Sequence, residues 1–102
     1  MDERRKDRRL ATPLDCDWAL FNGSYAHTRL SDISAGGCFV ESRVSPVLGE
    51  TIEITITLLD TPTTLRGVVV SVDSGIGFAL QFAPLDKATS TLLETFLETA
   101  FR

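Results

Sequence analysis

Histidine and cysteine are nearly missing from this chain of 102 residues: His27 is the only histidine, and Cys16 and Cys38 are the only cysteines. Two cysteines cannot build a disulfide framework or a cysteine-rich zinc site. Both fall in runs that alternate like strands, so buried free thiols are expected. One histidine with no second candidate base beside it leaves no hydrolase triad, and His27 is expected as an ordinary strand side chain. Long apolar runs are missing too. None approaches the ~20 residues that span a bilayer. The N-terminus is charged from residue 2 onward, without the apolar segment of a secretory signal. These absences point to no catalysis, no cofactor, no metal, no membrane insertion and a cytosolic location.

What remains suffices for one small domain with one core. The net charge of −4 conceals an asymmetry. Residues 2–9 hold five basic groups (Arg4, Arg5, Lys6, Arg8, Arg9) against three acidic ones, while the rest of the chain holds five basic and eleven acidic groups. An anionic partner would therefore be met by this arm and not by a basic face of the domain. The arm has almost no apolar content and is expected to be flexible without a partner. Residues 1–10 read as the arm and residues 11–102 as the domain.

After Thr12-Pro13, which favours extended chain, Leu14, Cys16, Trp18 and Leu20 alternate with Asp15, Asp17, Ala19 and Phe21, the period of a half-buried strand. Asn22-Gly23 is a hairpin signal, and residues 24–30 return. A short third strand spans residues 38–41. Residues 51–58 alternate most cleanly, with Ile52, Ile54, Ile56 and Leu58 on one face and Thr51, Glu53, Thr55 and Thr57 on the other. Asp60-Thr61-Pro62 reads as a turn, residues 64–73 as a fifth strand in which Gly67 suggests a bulge or bend, and Asp73-Ser74-Gly75 as a tight turn. In the last strand Ile76, Phe78, Leu80 and Phe82 alternate with Gly77, Ala79 and Gln81; this second face is small, so something can press against it. Asp86 suits an N-cap, and Leu93, Phe96, Leu97, Ala100 and Phe101 have helical spacing, giving a helix over residues 86–101. Six short strands and one terminal helix predict an all-β fold: a six-stranded antiparallel barrel closed so as to leave no edges, with a C-terminal α-helix.

Residues 32–37, Asp-Ile-Ser-Ala-Gly-Gly, carry the chemistry. The Asp32 carboxylate can accept two parallel N–H bonds, as from the edge of a guanine; Ser34 can donate to a phosphate, a base or its own backbone. Gly36 and Gly37 admit unusual backbone angles or the close approach of a ligand or another strand. Arginine binds phosphate bidentately, forks onto guanine O6 and N7, and stacks on the base. An arginine-rich arm and an Asp-x-Ser turn can thus surround a guanine nucleotide from two sides.

The chain resembles the PilZ domain family. The resemblance covers essentially all of it. It rests on Arg-x-x-x-Arg as Arg5 and Arg9, preceded by Arg4; on Asp-x-Ser-x-x-Gly as Asp32, Ser34 and Gly37; and on residues 75–82, Gly-Ile-Gly-Phe-Ala-Leu-Gln-Phe. It implies a six-stranded barrel with a C-terminal helix that binds cyclic di-GMP. Arg5 and Arg9 would grip phosphates and guanine, Asp32 and Ser34 would hold the guanine amide edge and neighbouring groups, and Gly37 would keep the turn close to the ligand. The doubled arginines also permit an Arg4/Arg8 register; Leu10, an apolar residue leading into the barrel, favours Arg5/Arg9. Nothing resembles an attached output domain, so the expected mode of action is on an effector protein or a second copy of the chain. A ligand-independent protein-interaction module is the alternative. Binding of nucleic acid or anionic lipid by the arm is disfavoured by the acidic remainder.

Overall fold

A strand with one apolar face must bury that face, and six such strands bury it best by closing on themselves. The computed structural model, which describes residues 9–19 and 25–100, is built this way. The strands are β1 (Leu10–Ala19), β2 (Tyr25–Ile33), β3 (Gly37–Glu41), β4 (Thr51–Leu58), β5 (Thr61–Asp73) and β6 (Gly77–Phe82); helix α1 (Lys87–Ala100) follows. They form a closed barrel in the order β1-β2-β3-β6-β5-β4, every neighbouring pair antiparallel.

The barrel interior holds the core. Trp18, Leu30, Ile54, Leu58, Val40 and Phe78 are fully buried, and Trp18 meets Phe78 edge to face with ring centroids 5.0 Å apart. The indole N–H donates to Thr28 Oγ1 at 3.2 Å, so the one polar atom of the largest core side chain is satisfied. β1 pairs with β4 over only two residue pairs, Asp17 with Thr55 and Trp18 with Ile54. α1 packs along β4 and adds Leu93 and Leu97 to the core. It starts where Asp86 Oδ1 accepts the Thr89 backbone N–H at 2.7 Å, the N-cap contact that satisfies one of the free amides of a first turn. Phe101, assigned to the same stripe, lies outside the described residues, as does the Asn22-Gly23 turn.

Four local expectations change. β1 begins at Leu10, so Thr12-Pro13 lies within it. The β4–β5 turn is Leu59-Asp60, both left-handed (φ 50° and 64°), and Pro62 belongs to β5 opposite Thr57. Proline is tolerated there because β6 pairs with β5 only from Gly67 onward, so no partner misses its N–H. Gly67 is no bulge. The β5 irregularity falls at Val70, between Val69 and Ser71, while a side chain at Gly67 would meet the Gln81 carbonyl oxygen at 2.9 Å. Ile76 sits in the β5–β6 turn, exposed, and not in β6.

Candidate functional site

Along a strand the side chains alternate, so with Leu30 in the core Asp32 would face inward too. It does not. Leu30 pairs with Val40 and Asp32 with Phe39, which leaves Ser31 as an extra residue in β2 relative to β3. β1 carries its own irregularity opposite, between Ala11 and Leu14, where Pro13 lacks an N–H to give. The bulge resets the alternation: Leu30 and Ile33, three residues apart, both lie fully in the core, and Asp32 turns to the outer face. Re-aiming one side chain is what such an insertion does next to functional positions.

Arg9 and Asp32 are 23 residues apart in sequence, and Arg9 Nη1 donates to Asp32 Oδ1 at 2.5 Å. Arg9 stands just before β1, where Leu10 pairs with Ile33 and Ala11 with Asp32. The strand pairing therefore delivers Arg9 to the carboxylate. Both side chains remain solvated, 53% and 29% exposed, so the pair contributes at most about 1 kcal/mol to stability.

Ser34 and Gly37 shape the turn from inside. Ser34 is buried. Its Oγ accepts the backbone N–H groups of Gly36 and Gly37 at 3.2 Å each and donates to the Gly37 carbonyl at 3.3 Å. The Ser34 backbone N–H also donates to that carbonyl at 2.8 Å. Of the roles open to this hydroxyl, the structure shows the bond to its own backbone. Gly37 lies in β3, where a Cβ would come 2.1 Å from the Leu80 carbonyl oxygen. The strand it admits is β6, and the left-handed glycines among the described residues are Gly49 and Gly75. Arg4, Arg5 and Arg8 lie outside the described residues.

Burial pushes the Cys16 thiol up to about 11 and raises Cys38 as well, so both free cysteines stay protonated and unreactive at neutral pH. His27 lies across from Asp17, and its Nδ1 is 2.5 Å from Asp17 Oδ1; this contact raises its pKa. Arg29 with Glu41 and Arg66 with Glu53 are further cross-strand pairs on the outer surface. Among the described residues no His, Cys, Asp and Glu cluster could hold a metal, and no helix is long and apolar enough to cross a membrane. A groove of about 630 Å³ runs over the opposite end of the β2–β3 hairpin, lined by Asp15, His27, Arg29, Glu41, Arg43 and Ile76 among others. It does not include Asp32.

Solved structures share this fold. Escherichia coli YcgR in complex with c-di-GMP superposes with a TM-score of 0.83 at 18% identity, over 98% of this chain and 47% of that one. The Bacillus subtilis inhibitor of motility MotI/DgrA gives 0.77 at 20% identity, over 98% of this chain and 53% of that one. The PilZ domain of CeSA from a cellulose-synthesizing bacterium gives 0.73 at 15% identity, over 93% of this chain and 99% of that domain. The chain thus spans about half the length of YcgR and MotI and nearly all of the isolated CeSA domain. No curated protein matches it in sequence. The sequence profile of the PilZ domain, however, matches residues 3–99, nearly the whole of the chain, which belongs to the PilZ family.

Proposed function

We propose that this chain is a cyclic di-GMP receptor or adaptor without catalytic activity, in which the dinucleotide orders the basic arm against the barrel and alters contact with an effector protein. The observation that carries this reading is the meeting of Arg9 and Asp32 on the outer face. Arg9 is one end of the preferred Arg5–Arg9 pair, and its contact with the carboxylate suited to a guanine edge supports that reading. Family membership and the c-di-GMP complex of YcgR support it.

In the mechanism we propose, Arg9 and the nucleotide exchange places on Asp32. A carboxylate offers two acceptor oxygens, and Arg9 occupies Oδ1. Guanine presents N1–H and N2–H₂ side by side and needs both oxygens. Arg9 therefore swings from Asp32 to a phosphate or to the O6/N7 edge, where Arg5 joins it. The exchange is cheap. A solvated pair worth at most about 1 kcal/mol costs the ligand less than tenfold in affinity. Ser34 and Gly37 act by holding the turn and the β3–β6 contact that keep Asp32 in place. A deeply bonded hydroxyl and a backbone crossing change little when the ligand arrives.

The second reading, a ligand-independent protein-interaction module, draws on one observation. Val44, Val47 and Leu48 of the β3–β4 loop and Val68, Val70 and Val72 of β5 are all exposed, apolar side chains that a protein partner could cover. Calorimetric titration with cyclic di-GMP, with GMP and GTP as controls, separates the two. Saturable binding of the cyclic dinucleotide, tighter than either control, is expected. A flat titration would leave only the interaction module.

A further inference from the structure

Phe39 is the large apolar side chain of β3 that the core does not use. Its chain neighbours Cys38 and Val40 are fully buried in the barrel, whereas Phe39 points to the outer face, half-buried, and is not packed against the core cluster. It pairs directly with Asp32 on one side and with Ala79 on the other. The small face of β6 explains how the ring rests there. A Cβ at Gly77 would lie 2.6 and 2.9 Å from Phe39 Cε2 and Cζ. The ring thus lies across β6 in the space a side chain at Gly77 would fill, with Ala79 beside it. One side is supported by strand backbone, and the residue as a whole stays only half-buried.

We infer that Phe39 is a base-stacking platform: the guanine whose amide edge meets Asp32 lies with its face on the Phe39 ring. The inference rests on the receptor reading above and deepens it. Residues directly opposite in an antiparallel pair have Cβ atoms about 4.5–5.5 Å apart, so a planar base held at its edge by Asp32 must extend across β3 toward β6 to lie over the ring. Extending toward β1 it would find Ala11 and the Arg9 side chain, and no aromatic face. An aromatic face offers stacking that any base can use, and the neighbouring carboxylate supplies the choice of guanine. Stacking on an aromatic side chain is worth about tenfold to a hundredfold in affinity per base.

The test is cyclic di-GMP titration of the parent, Phe39→Leu, Phe39→Trp and, as a binding-site control, Asp32→Ala, each with its thermal midpoint. Phe39→Leu keeps apolar area and removes the aromatic face. It is expected to bind at least about tenfold more weakly while melting close to the parent. Phe39→Trp is expected to keep binding, and its added solvent-facing indole should be quenched by the ligand, whereas the parent, with only the buried Trp18, should show little change. Parent-like affinity in Phe39→Leu with unquenched emission in Phe39→Trp, where Asp32→Ala has lost binding, would overturn the platform and leave the receptor intact. No binding by the parent would overturn the receptor reading and the platform together.

Discussion

The β4–β5 and β2–β3 hairpins are built on opposite plans. β4 and β5 run in unbroken register over eight pairs, from Thr51 opposite Val68 to Leu58 opposite Thr61. Every second residue of β4 is in the core and every other one is in water. β2 and β3 pair over four positions with a residue inserted at Ser31, and a buried serine is spent on their turn. The regular hairpin builds the barrel wall. The irregular one gives up ladder bonds to bring a carboxylate out of a run whose alternation would bury it. The irregularity at Ser31 brings Asp32 to the outer face, whereas the one at Val70 has no part in the proposed site.

The comparison breaks most sharply at Gly37. A methyl group there would overlap the Leu80 carbonyl, which is backbone and cannot turn aside. Gly37→Ala should therefore destabilise the fold by about 3 kcal/mol, seen as a lowered denaturant midpoint. A ligand-contact role alone would leave that midpoint unchanged.

Asp32 and Arg9 should behave in the opposite way. Asp32→Ala and Arg9→Ala remove an exposed pair, so stability should fall by no more than about 1 kcal/mol. Cyclic di-GMP affinity should drop by roughly tenfold to a hundredfold, as befits a charge-assisted hydrogen bond worth about 1.5–3 kcal/mol. Asp32→Asn, which retains one acceptor, should be milder than Asp32→Ala. Arg9→Ala should also reduce the salt dependence of binding. Thermal unfolding beside calorimetry separates these effects.

The smallest effect lies in the regular hairpin. Leu59 adopts a left-handed conformation that costs a branched side chain about 1 kcal/mol. Leu59→Gly should relieve most of this, raising the melting temperature by a few degrees with nucleotide affinity unchanged. A change in affinity would mean that the two hairpins are coupled.

Much of the fold was legible because it rests on local periodicity. Ile52, Ile54, Ile56 and Leu58 declare their face without help from any other strand, and Asp86 caps the helix from within its own first turn. The misreadings share another cause. Pro62 drew the turn toward itself because proline usually ends a strand, but whether it does so depends on a partner strand the local sequence does not show. A left-handed leucine at position 59 runs against propensity and was invisible for that reason. The bulges at Ser31 and Val70 are relations between strands; each needs a second strand before an extra residue can be counted. Arg9 and Asp32, singled out in the sequence as candidates, do meet, but the mechanics of their meeting were not legible. The engagement of Ser34 with its own turn, the crossing at Gly37 and the position of Phe39 opposite Asp32 all come from pairing across the sheet.

The central claim is that Asp32 and the arginines read guanine and do not merely collect phosphate charge. Competition between cyclic di-GMP and cyclic di-AMP at one salt concentration tests it most directly, since the two share ring and phosphates. Adenine lacks O6 and the N1–H and N2–H₂ donors, and it sets an amino group where arginine needs an acceptor. Each lost pairing costs about 1–3 kcal/mol. The adenine dinucleotide should therefore bind at least on the order of a hundredfold more weakly. Equal binding of the two would contradict the account and reduce the site to an electrostatic trap for phosphates.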